Sequence, residues 1–337
     1  MSSQLAQETI SADEAASFAE LTELLSKNIE ELYPPGNIVR RDAHPKMHGL
    51  VKAEFVVNPD LPQQFHLGVF QPGKQYPAWV RFSNQNAKAQ SDNIPDIRGM
   101  AVKLMHVPGE KLLSDQAQAT THDFITISAT SFVTRNTQEF VELVRAMRKG
   151  WLSLIWFFLT HIRSGVNLLR ANKVQGNPLH ITYNSVTPYL FGEGRAVRYC
   201  LRPQIAKADA VPDNPGPDFM REALVQSLRR QGICFDFMVQ LQTDAKAMPI
   251  EDPGIVWDEA RSPFIKLAEL RIPQQECDSP EQRVYGENLS FNPWHALPEH
   301  RPLGGINRAR RVVYEAISKL RHAKNHVQPK EPDHYEI

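Results

Sequence analysis

The most informative stretch of this 337-residue chain is Arg310-Arg311-Val312-Val313-Tyr314, with Arg321 seven residues further on. At helical spacing, Arg310, Tyr314 and Arg321 share one face, so two guanidinium groups bracket one phenol. Positive neighbours favour the anionic form of an acid, and a tyrosinate is a hard oxygen ligand for iron. An Arg four residues before a Tyr is also a common surface pair, so the stretch by itself leaves both interpretations open.

Composition and charge restrict the class of protein. Lysine and arginine together number 38, as do aspartate and glutamate, so the formal net charge is zero. Without a basic excess the chain has no electrostatic footprint for nucleic acid, and we predict no nucleic-acid partner. The cysteines, Cys200, Cys234 and Cys277, are too few and too far apart for a disulfide framework. Residues 1–32 also lack the basic and apolar segments of a secretory signal, so we predict a cytoplasmic protein.

Periodicity predicts an α+β chain. Short alternating runs, punctuated by Pro, Gly and Asn, indicate a largely antiparallel sheet or barrel. The predicted strands are 50–57, 78–82, 100–105, 123–127, 197–201, 234–241 and 265–271. The predicted helices are 137–149, 152–171, 219–231 and 306–324. We divide the chain into an N-terminal helix or arm (1–37), a core (38–325) and a flexible tail (326–337).

The most apolar segment is Trp-Leu-Ser-Leu-Ile-Trp-Phe-Phe-Leu at residues 151–159. It is much shorter than the ~20 apolar residues that span a bilayer. One interpretation is a buried helix. The other is a helix at a membrane interface, or at the entry of a lipid-like substrate, which the flanking Arg145, Arg148, Lys149 and Arg163 favour. Periodicity does not distinguish the two.

Four further motifs precede the Arg310–Tyr314 stretch in the chain. They are Arg41-Asp42-Ala43-His44-Pro45-Lys46, Val80-Arg81-Phe82-Ser83, Asp96-Ile97-Arg98-Gly99-Met100-Ala101-Val102-Lys103, and Asp123-Phe124-Ile125 with Phe132 and Phe140. In this order and spacing, the five resemble the motifs of the heme-dependent catalase family, over most of the chain. The resemblance implies an antiparallel β-barrel of catalase type with surrounding helices. It also implies a bound heme b (iron protoporphyrin IX) and a minimal, catalase-related core.

The resemblance assigns the reacting groups. His44 matches the distal histidine, which takes a proton from the bound peroxide and returns it to the leaving oxygen. Ser83 matches the serine that hydrogen-bonds to this histidine and fixes its orientation. Tyr314 matches the axial iron ligand, and Arg310 matches the charge partner that keeps the ligand anionic.

The resemblance also assigns the groups that hold the cofactor. Arg41, Arg81 and Arg321 match the arginines that bind the heme propionates. Guanidinium pairs bidentately with carboxylate, which lysine cannot do. Phe140 matches a phenylalanine that stacks on the porphyrin. These residues are therefore expected to surround the heme.

The resemblance breaks down in the distal pocket. Where the catalases have an asparagine that hydrogen-bonds to the peroxide, this chain has Ile127, followed by Ser128. Loss of such an oriented donor typically costs about 10²–10³ in rate. Ser128 would replace it only if the strand shifted its register by one residue, which turns a side chain to the other face.

Three functions remain open on this basis. The first is a heme-dependent peroxidase with weak catalase activity, acting on hydrogen peroxide or organic hydroperoxides. The second is a fatty acid hydroperoxide dehydratase or isomerase resembling coral allene oxide synthase, since an apolar Ile127 suits a lipid hydroperoxide. The third, non-enzymatic, is a heme-binding storage or sensing protein. We further expect contact with a membrane or lipid through residues 151–159, and a homodimer.

Overall fold

The computed structural model describes residues 5–335 of the chain. Within them, the strands are β1 (Lys46–Val57), β2 (Gln75–Asn84), β3 (Arg98–Leu104), β4 (His122–Ile127), β5 (Tyr183–Asn184), β6 (Tyr189–Leu190), β7 (Ala196–Pro203), β8 (Ile233–Leu241) and β9 (Ile265–Ile272). The helices are α1 (Glu14–Leu32), α2 (Thr137–Lys149), α3 (Trp151–Thr160), α4 (Ile162–Ala171), α5 (Phe219–Arg230), α6 (Pro280–Asn288) and α7 (Gly305–Asn325).

Eight strands close into an antiparallel barrel in the order β5-β4-β3-β2-β1-β9-β8-β7, and β7 pairs back onto β5. The short β6 pairs with β7. Side chains alternate between the two faces of a strand, so Ala78, Val80 and Phe82 of β2 enter the barrel core. Arg81 and Ser83 of the same strand therefore lie on the outer face.

Aromatic rings fill the barrel interior. The ring of Phe237 lies 5.0 Å from Phe55 and 4.8 Å from Phe124, measured between centroids, and Phe124 lies 5.1 Å from Tyr199. Such edge-on and tilted contacts bury large apolar surfaces without voids. Because these rings occupy the interior, a large ligand has to bind against the outer face.

Helices cover part of that outer face. α1, α2 and α7 share one apolar cluster, to which each contributes buried aliphatic side chains such as Leu25, Val141 and Val313. α3 packs against α2 through Phe157, which contacts Leu143. This arrangement places α7, with Arg310, Tyr314 and Arg321, alongside the barrel.

All seven predicted strands and the α+β barrel are confirmed, with ends that differ by a few residues. The single helix predicted at 152–171 is wrong, because the chain bends by 110° between α3 and α4. The Thr160 hydroxyl bonds to the carbonyls of Trp156 and Phe157, and the His161 ring stacks on Phe157. These local bonds compete with continuation of the helix.

The buried-helix interpretation of residues 151–159 is also wrong. Phe157 is buried, but Trp151, Leu152, Ile155, Trp156 and Leu159 of α3 are exposed. The segment therefore presents most of its apolar side chains to the surroundings.

The segment that follows α7 contacts the barrel in its described part. The Glu331 carboxylate lies 2.7 Å from the Nζ of the buried Lys103, which also pairs with Asp123. The Tyr335 hydroxyl accepts a hydrogen bond from the Ala78 amide at 3.1 Å. Residues 331–335 thus satisfy polar groups on the outer face of the barrel.

One arginine fixes the start of α7. Nitrogen atoms of Arg308 lie within 2.9 Å of carboxylate oxygens of Glu8, Glu14 and Glu251. Three acids converge on this guanidinium. Burial lowers the pKa of Arg308, but Glu14 and Glu251 outweigh it, and the net effect is a raised pKa. The interaction ties the N-terminal arm and a loop to the helix that carries the candidate ligand residues.

We predict that Arg308→Ala lowers the free energy of unfolding by about 3 kcal/mol, because it leaves partly buried carboxylates without a counter-charge. The control is Arg202→Ala, whose exposed partner Glu259 is 3.5 Å away, and this change should cost less than about 1 kcal/mol. Urea denaturation followed by circular dichroism measures both. Equal losses in the two variants would contradict the anchoring role of Arg308.

Candidate active site

His44 adopts a strained backbone conformation just before β1. Its φ is +64°, in the left-handed region that few non-glycine residues occupy. Its amide donates to the Gln85 carbonyl at 3.1 Å, and its carbonyl accepts from Arg81 Nη2 at 3.0 Å. Its ring Nδ1 lies 3.1 Å from Ser83 Oγ. The resulting position is defined by backbone and side chain together, which is typical of functional sites.

The environment of His44 keeps its imidazole neutral. Burial, followed by the positive charges of Arg81, Arg310 and Arg41, lowers the pKa of His44 to about 3. The ring can therefore accept a proton throughout the physiological pH range. The bond between Nδ1 and Ser83 leaves Nε2 available for that role.

Gly99 makes room for the histidine. Ser83 on β2 pairs with Gly99 on β3, which pairs with Ile127 on β4. Directly paired residues share a face, so all three lie on the outer side of the barrel. A Cβ at Gly99 would lie 2.5 Å from the His44 ring, closer than any real contact. Only glycine allows the histidine to lie against the strand here.

The same strand register determines which side chain lies next to His44 on the outer face. Ile127 lies in the row with Ser83, whereas Ser128 is one residue further along, and its hydroxyl accepts a hydrogen bond from the Arg98 amide. Asn184 on β5 pairs with Ile127, but its amide donates to Ala129. Asn184 lies three strands away from Ser83, which corresponds to about 14 Å at the usual spacing of neighbouring strands. The register therefore brings Ile127, rather than Ser128 or Asn184, closest to His44.

Three largely buried arginines meet at Glu287 on α6: two lie near its carboxylate, and the third bonds to its main-chain carbonyl. Arg41 Nη1 lies 3.2 Å from Glu287 Oε1, and Arg81 Nη2 lies 3.9 Å from Oε2. Arg321 Nη1 donates to the Glu287 carbonyl at 2.5 Å. Burial lowers the pKa of Arg321 to about 9, so it stays protonated at neutral pH. The cluster thus carries more positive than negative charge, and Arg81 Nε is buried without a hydrogen-bond partner among residues 5–335.

α6, which the sequence did not predict, supports this cluster. Carbonyls at its C-terminal end accept hydrogen bonds from Arg41 and Arg321, and the end of a helix carries partial negative charge. A signal for this helix exists in Ser279-Pro280: the Ser279 side chain caps the helix by accepting from the Gln282 amide.

Arg310 lies near both His44 and Tyr314. It donates to Thr187 Oγ1 at 3.2 Å and to Asn307 Oδ1 at 3.3 Å, and these bonds, rather than one to the Tyr314 phenol, hold it within the described residues. Its guanidinium lies 5.7 Å from the Phe132 ring centroid. Its charge also reaches His44. Arg310 is thus positioned between the histidine and the tyrosine of its own helix.

A second tyrosine, which the sequence did not single out, lies near Tyr314. Burial raises the pKa of Tyr189 to about 12, with Arg310 opposing and Tyr314 reinforcing the shift. Its hydroxyl is buried with no hydrogen-bond partner among residues 5–335. No local motif surrounds Tyr189 in the sequence, so only the fold places it here.

Aromatic side chains form the apolar part of the site. Phe132 and Phe140 contact each other edge to face, with centroids 5.5 Å apart. Phe140 and Tyr314 are half-buried and pack against the same apolar cluster. Phe140 of α2 and Tyr314 of α7 therefore belong to one apolar, aromatic surface.

Comparison of the whole structure identifies the fold. No family model matches the sequence, and no curated protein matches it. A fungal catalase superposes on 95% of the chain with a TM-score of 0.67 and 16% identity. Catalase A from Saccharomyces cerevisiae covers 85% (TM-score 0.67, 18% identity), and a bacterial catalase covers 100% (TM-score 0.66, 15% identity).

The chain has the catalase fold. It spans 65%, 62% and 68% of the lengths of these three catalases, about two thirds of each. Identities this low establish the architecture, so the chemistry of this catalase-fold chain has to be argued from its own residues.

Those residues fit a heme. The excess positive charge around Glu287, with the unpartnered Arg81 Nε, suits the two carboxylates of a porphyrin. Phe140 offers an aromatic face, and Tyr314 offers a phenol oxygen, a type of ligand that heme iron accepts. His44, on the barrel side, offers a neutral imidazole. The groups that the cofactor requires are thus present on the outer face of this catalase-fold barrel and on the helices α2 and α7.

We predict that Gly99→Ala lowers the rate of reaction with peroxide by about 10²-fold while heme content is retained, because the new methyl group displaces His44. Stopped-flow absorbance measures the rate, and the Soret band measures heme. The control is Gly165→Ala, where the added methyl makes an ordinary 3.5 Å contact with Phe158. A normal rate in Gly99→Ala would contradict the close approach of the histidine.

Proposed function

We propose that this protein is a heme-dependent hydroperoxidase that reduces hydrogen peroxide or organic hydroperoxides. The observation that carries the proposal is the largely buried cluster of Arg41, Arg81 and Arg321 around Glu287, which contributes one carboxylate, beside His44. Buried charge is expensive unless it is paired, so this cluster requires an anionic partner. A porphyrin with two propionates provides one.

Different residues would hold different parts of the heme. The three arginines would hold the propionates, and Phe140 would contact the face of the ring. Tyr314 would bind the iron from α7, with the fixed positive charge of Arg310 close by. When bound, the heme would supply the two electrons that cleavage of the O–O bond needs, and an external reducing substrate, or a second hydrogen peroxide, would return them.

His44 would move the proton. Its neutral Nε2 takes the proton from the terminal oxygen of the hydroperoxide and delivers it to the other oxygen, which leaves as an alcohol or as water. Ser83 holds Nδ1 and so fixes which nitrogen is free. A protein that only stored or sensed heme would not need a strained, neutral histidine here, which favours an enzyme.

The apolar distal position supports a peroxidase with weak catalase activity. Ile127 packs in a cluster with Val186, and Phe132 lies against the same cluster. The carboxamide of Asn184 does not take the place of the catalase asparagine, since it is bound to Ala129. The same apolar surroundings favour the second candidate, a lipid hydroperoxide dehydratase or isomerase, in which the O–O bond is cleaved and the substrate rearranges.

We predict that Tyr314→Phe loses most of its heme, because the ligand oxygen is removed, while His44→Ala keeps heme and reacts with peroxide at least 10²-fold more slowly. Absorbance at the Soret band and stopped-flow rates with hydrogen peroxide and cumene hydroperoxide measure the two effects. Tyr33→Phe, in the same apolar cluster as Tyr314, and the exposed His66→Ala are the controls. Wild-type protein that takes up no heme would refute the proposed function.

We predict that Ile127→Asn raises oxygen release from hydrogen peroxide by about 10-fold or more, because the carboxamide would face the same side as Ser83 and donate to the substrate. A Clark electrode measures oxygen. Ile127→Leu is the control, since it keeps the volume and adds no donor. If Ile127→Asn gained nothing over Ile127→Leu, the pocket would be suited to substrates larger than hydrogen peroxide.

A further inference from the structure

α3 and α4 present a set of large apolar side chains to the surroundings, which we call the α3–α4 face. Its side chains are between 50% and 78% exposed, whereas other exposed large apolar side chains among residues 5–335 are scattered. The face consists of Trp151, Leu152, Ile155, Trp156, Leu159, Ile162 and Leu169. Surfaces of this kind on a folded protein mark contact with a partner or a membrane.

Basic side chains flank the α3–α4 face in sequence, and we call them its rim. Residues 143–175 contain six basic side chains and no acidic ones, in a chain whose net charge is zero. Arg145, Arg148 and Arg163 form ion pairs with acids outside this range. For the other three, which are Lys149, Arg170 and Lys173, the described part of the chain offers no carboxylate within ion-pair distance.

The inner side of the same helices contacts the candidate active site. Phe157, Leu154 and Phe158 of α3 share an apolar cluster with Phe140, the candidate porphyrin contact. Leu168 of α4 packs against the cluster that contains Ile127. The α3–α4 face and the distal pocket are therefore two sides of one apolar layer.

We propose that the α3–α4 face docks the protein on the surface of an anionic lipid bilayer. Tryptophan prefers the boundary between headgroups and acyl chains, and cations on the rim reach anionic headgroups. Within residues 5–335, no single helix is long and apolar enough to cross a membrane, and α3 and α4 reach that length only as a pair bent by 110°. The geometry suits helices that lie in the interface.

Charge favours a bilayer over a second copy of the chain. A twofold contact would bring the rim of one copy, with Lys149, Arg170 and Lys173, against the same rim of the other. Like charges at the border of an interface repel. Anionic headgroups instead compensate the rim while the acyl layer takes up the apolar side chains.

Docking also indicates the substrate class, a step that rests on the proposed function. A hydroperoxide on an acyl chain resides in the bilayer, and the apolar layer formed by α3 and α4 leads from that bilayer to Phe140 and Ile127. We therefore infer that the substrates are lipid hydroperoxides taken from the membrane.

Intrinsic fluorescence tests docking directly. Trp151 and Trp156 are 70% and 68% exposed, whereas Trp79, Trp257 and Trp294 are at most 5% exposed. Adding phosphatidylcholine vesicles that contain phosphatidylglycerol should shift the emission to the blue and float the protein with the vesicles. Pure phosphatidylcholine, or high salt, should weaken both effects, because the rim acts through screened charge. No binding to anionic vesicles at low salt would overturn the proposal.

Variants locate the contact. Trp156→Ser with Leu159→Ser should lower the vesicle partition coefficient about 10-fold or more. The matched control, Ile10→Ser with Val284→Ser, removes exposed apolar groups elsewhere and should bind as wild type. Lys149→Glu with Arg170→Glu should abolish the preference for anionic lipid, and Lys74→Glu with Lys88→Glu should not. A wild-type dimer in sedimentation that the Trp156/Leu159 variant loses, without vesicle binding, would assign the face to a second copy instead.

Measurements of turnover on two substrates distinguish a failure of docking from a failure of the proposed function. With a fatty acid hydroperoxide in vesicles, the Trp156/Leu159 variant should be about 10-fold slower than wild type. With water-soluble cumene hydroperoxide it should be unchanged, and circular dichroism checks its fold. Equal rates on both substrates would overturn delivery from the membrane. Wild-type protein that reacts with neither substrate would refute the hydroperoxidase and leave the docking measurement standing.

Discussion

The positive charge around Glu287 is the constraint on which the site depends. Arg41 precedes the first strand, Arg81 lies on the barrel, and Arg321 lies on the last helix, yet all three meet at one residue of α6. Buried guanidinium groups repel each other, and burial lowers their pKa values. Within residues 5–335, the Glu287 carboxylate is the acid that lies within ion-pair distance of Arg41 and Arg81, so the cluster favours the binding of a dianionic ligand.

The barrel supplies the second half of the site through its register. Because the interior is filled with aromatic rings, side chains that face outwards are the ones free to do chemistry. One row across these strands surrounds His44. Ser83 is the hydrogen-bond partner of the histidine, Gly99 leaves space for its ring, and Ile127 provides an apolar side chain beside it. Three adjacent strands thus determine both the position of His44 and the apolar surface beside it.

Much of this could be predicted from sequence because the motifs are local. The strands alternate clearly, and His44, Arg81 and Tyr314 stand within short recognisable segments. Glu287 could not be predicted, since its importance arises from contact with Arg41, which lies far away in sequence. The break at His161 was hidden in a continuous apolar run. Periodicity also cannot show whether the apolar helix at residues 151–159 is exposed or buried, because the sequence is equally apolar in both cases. The packing of this helix against α2, which buries only part of it, gives the answer.

The wide separation of the three arginines along the chain has a consequence for the abundance of the protein. Arg41 and Arg321 meet only when the barrel, α6 and α7 have all assembled, so an unfolded chain has no comparable site. A ligand that binds only the native state stabilises it by mass action. The amount of folded protein in a cell would then follow the supply of that ligand, and chains made during a shortage would be the first that proteases remove.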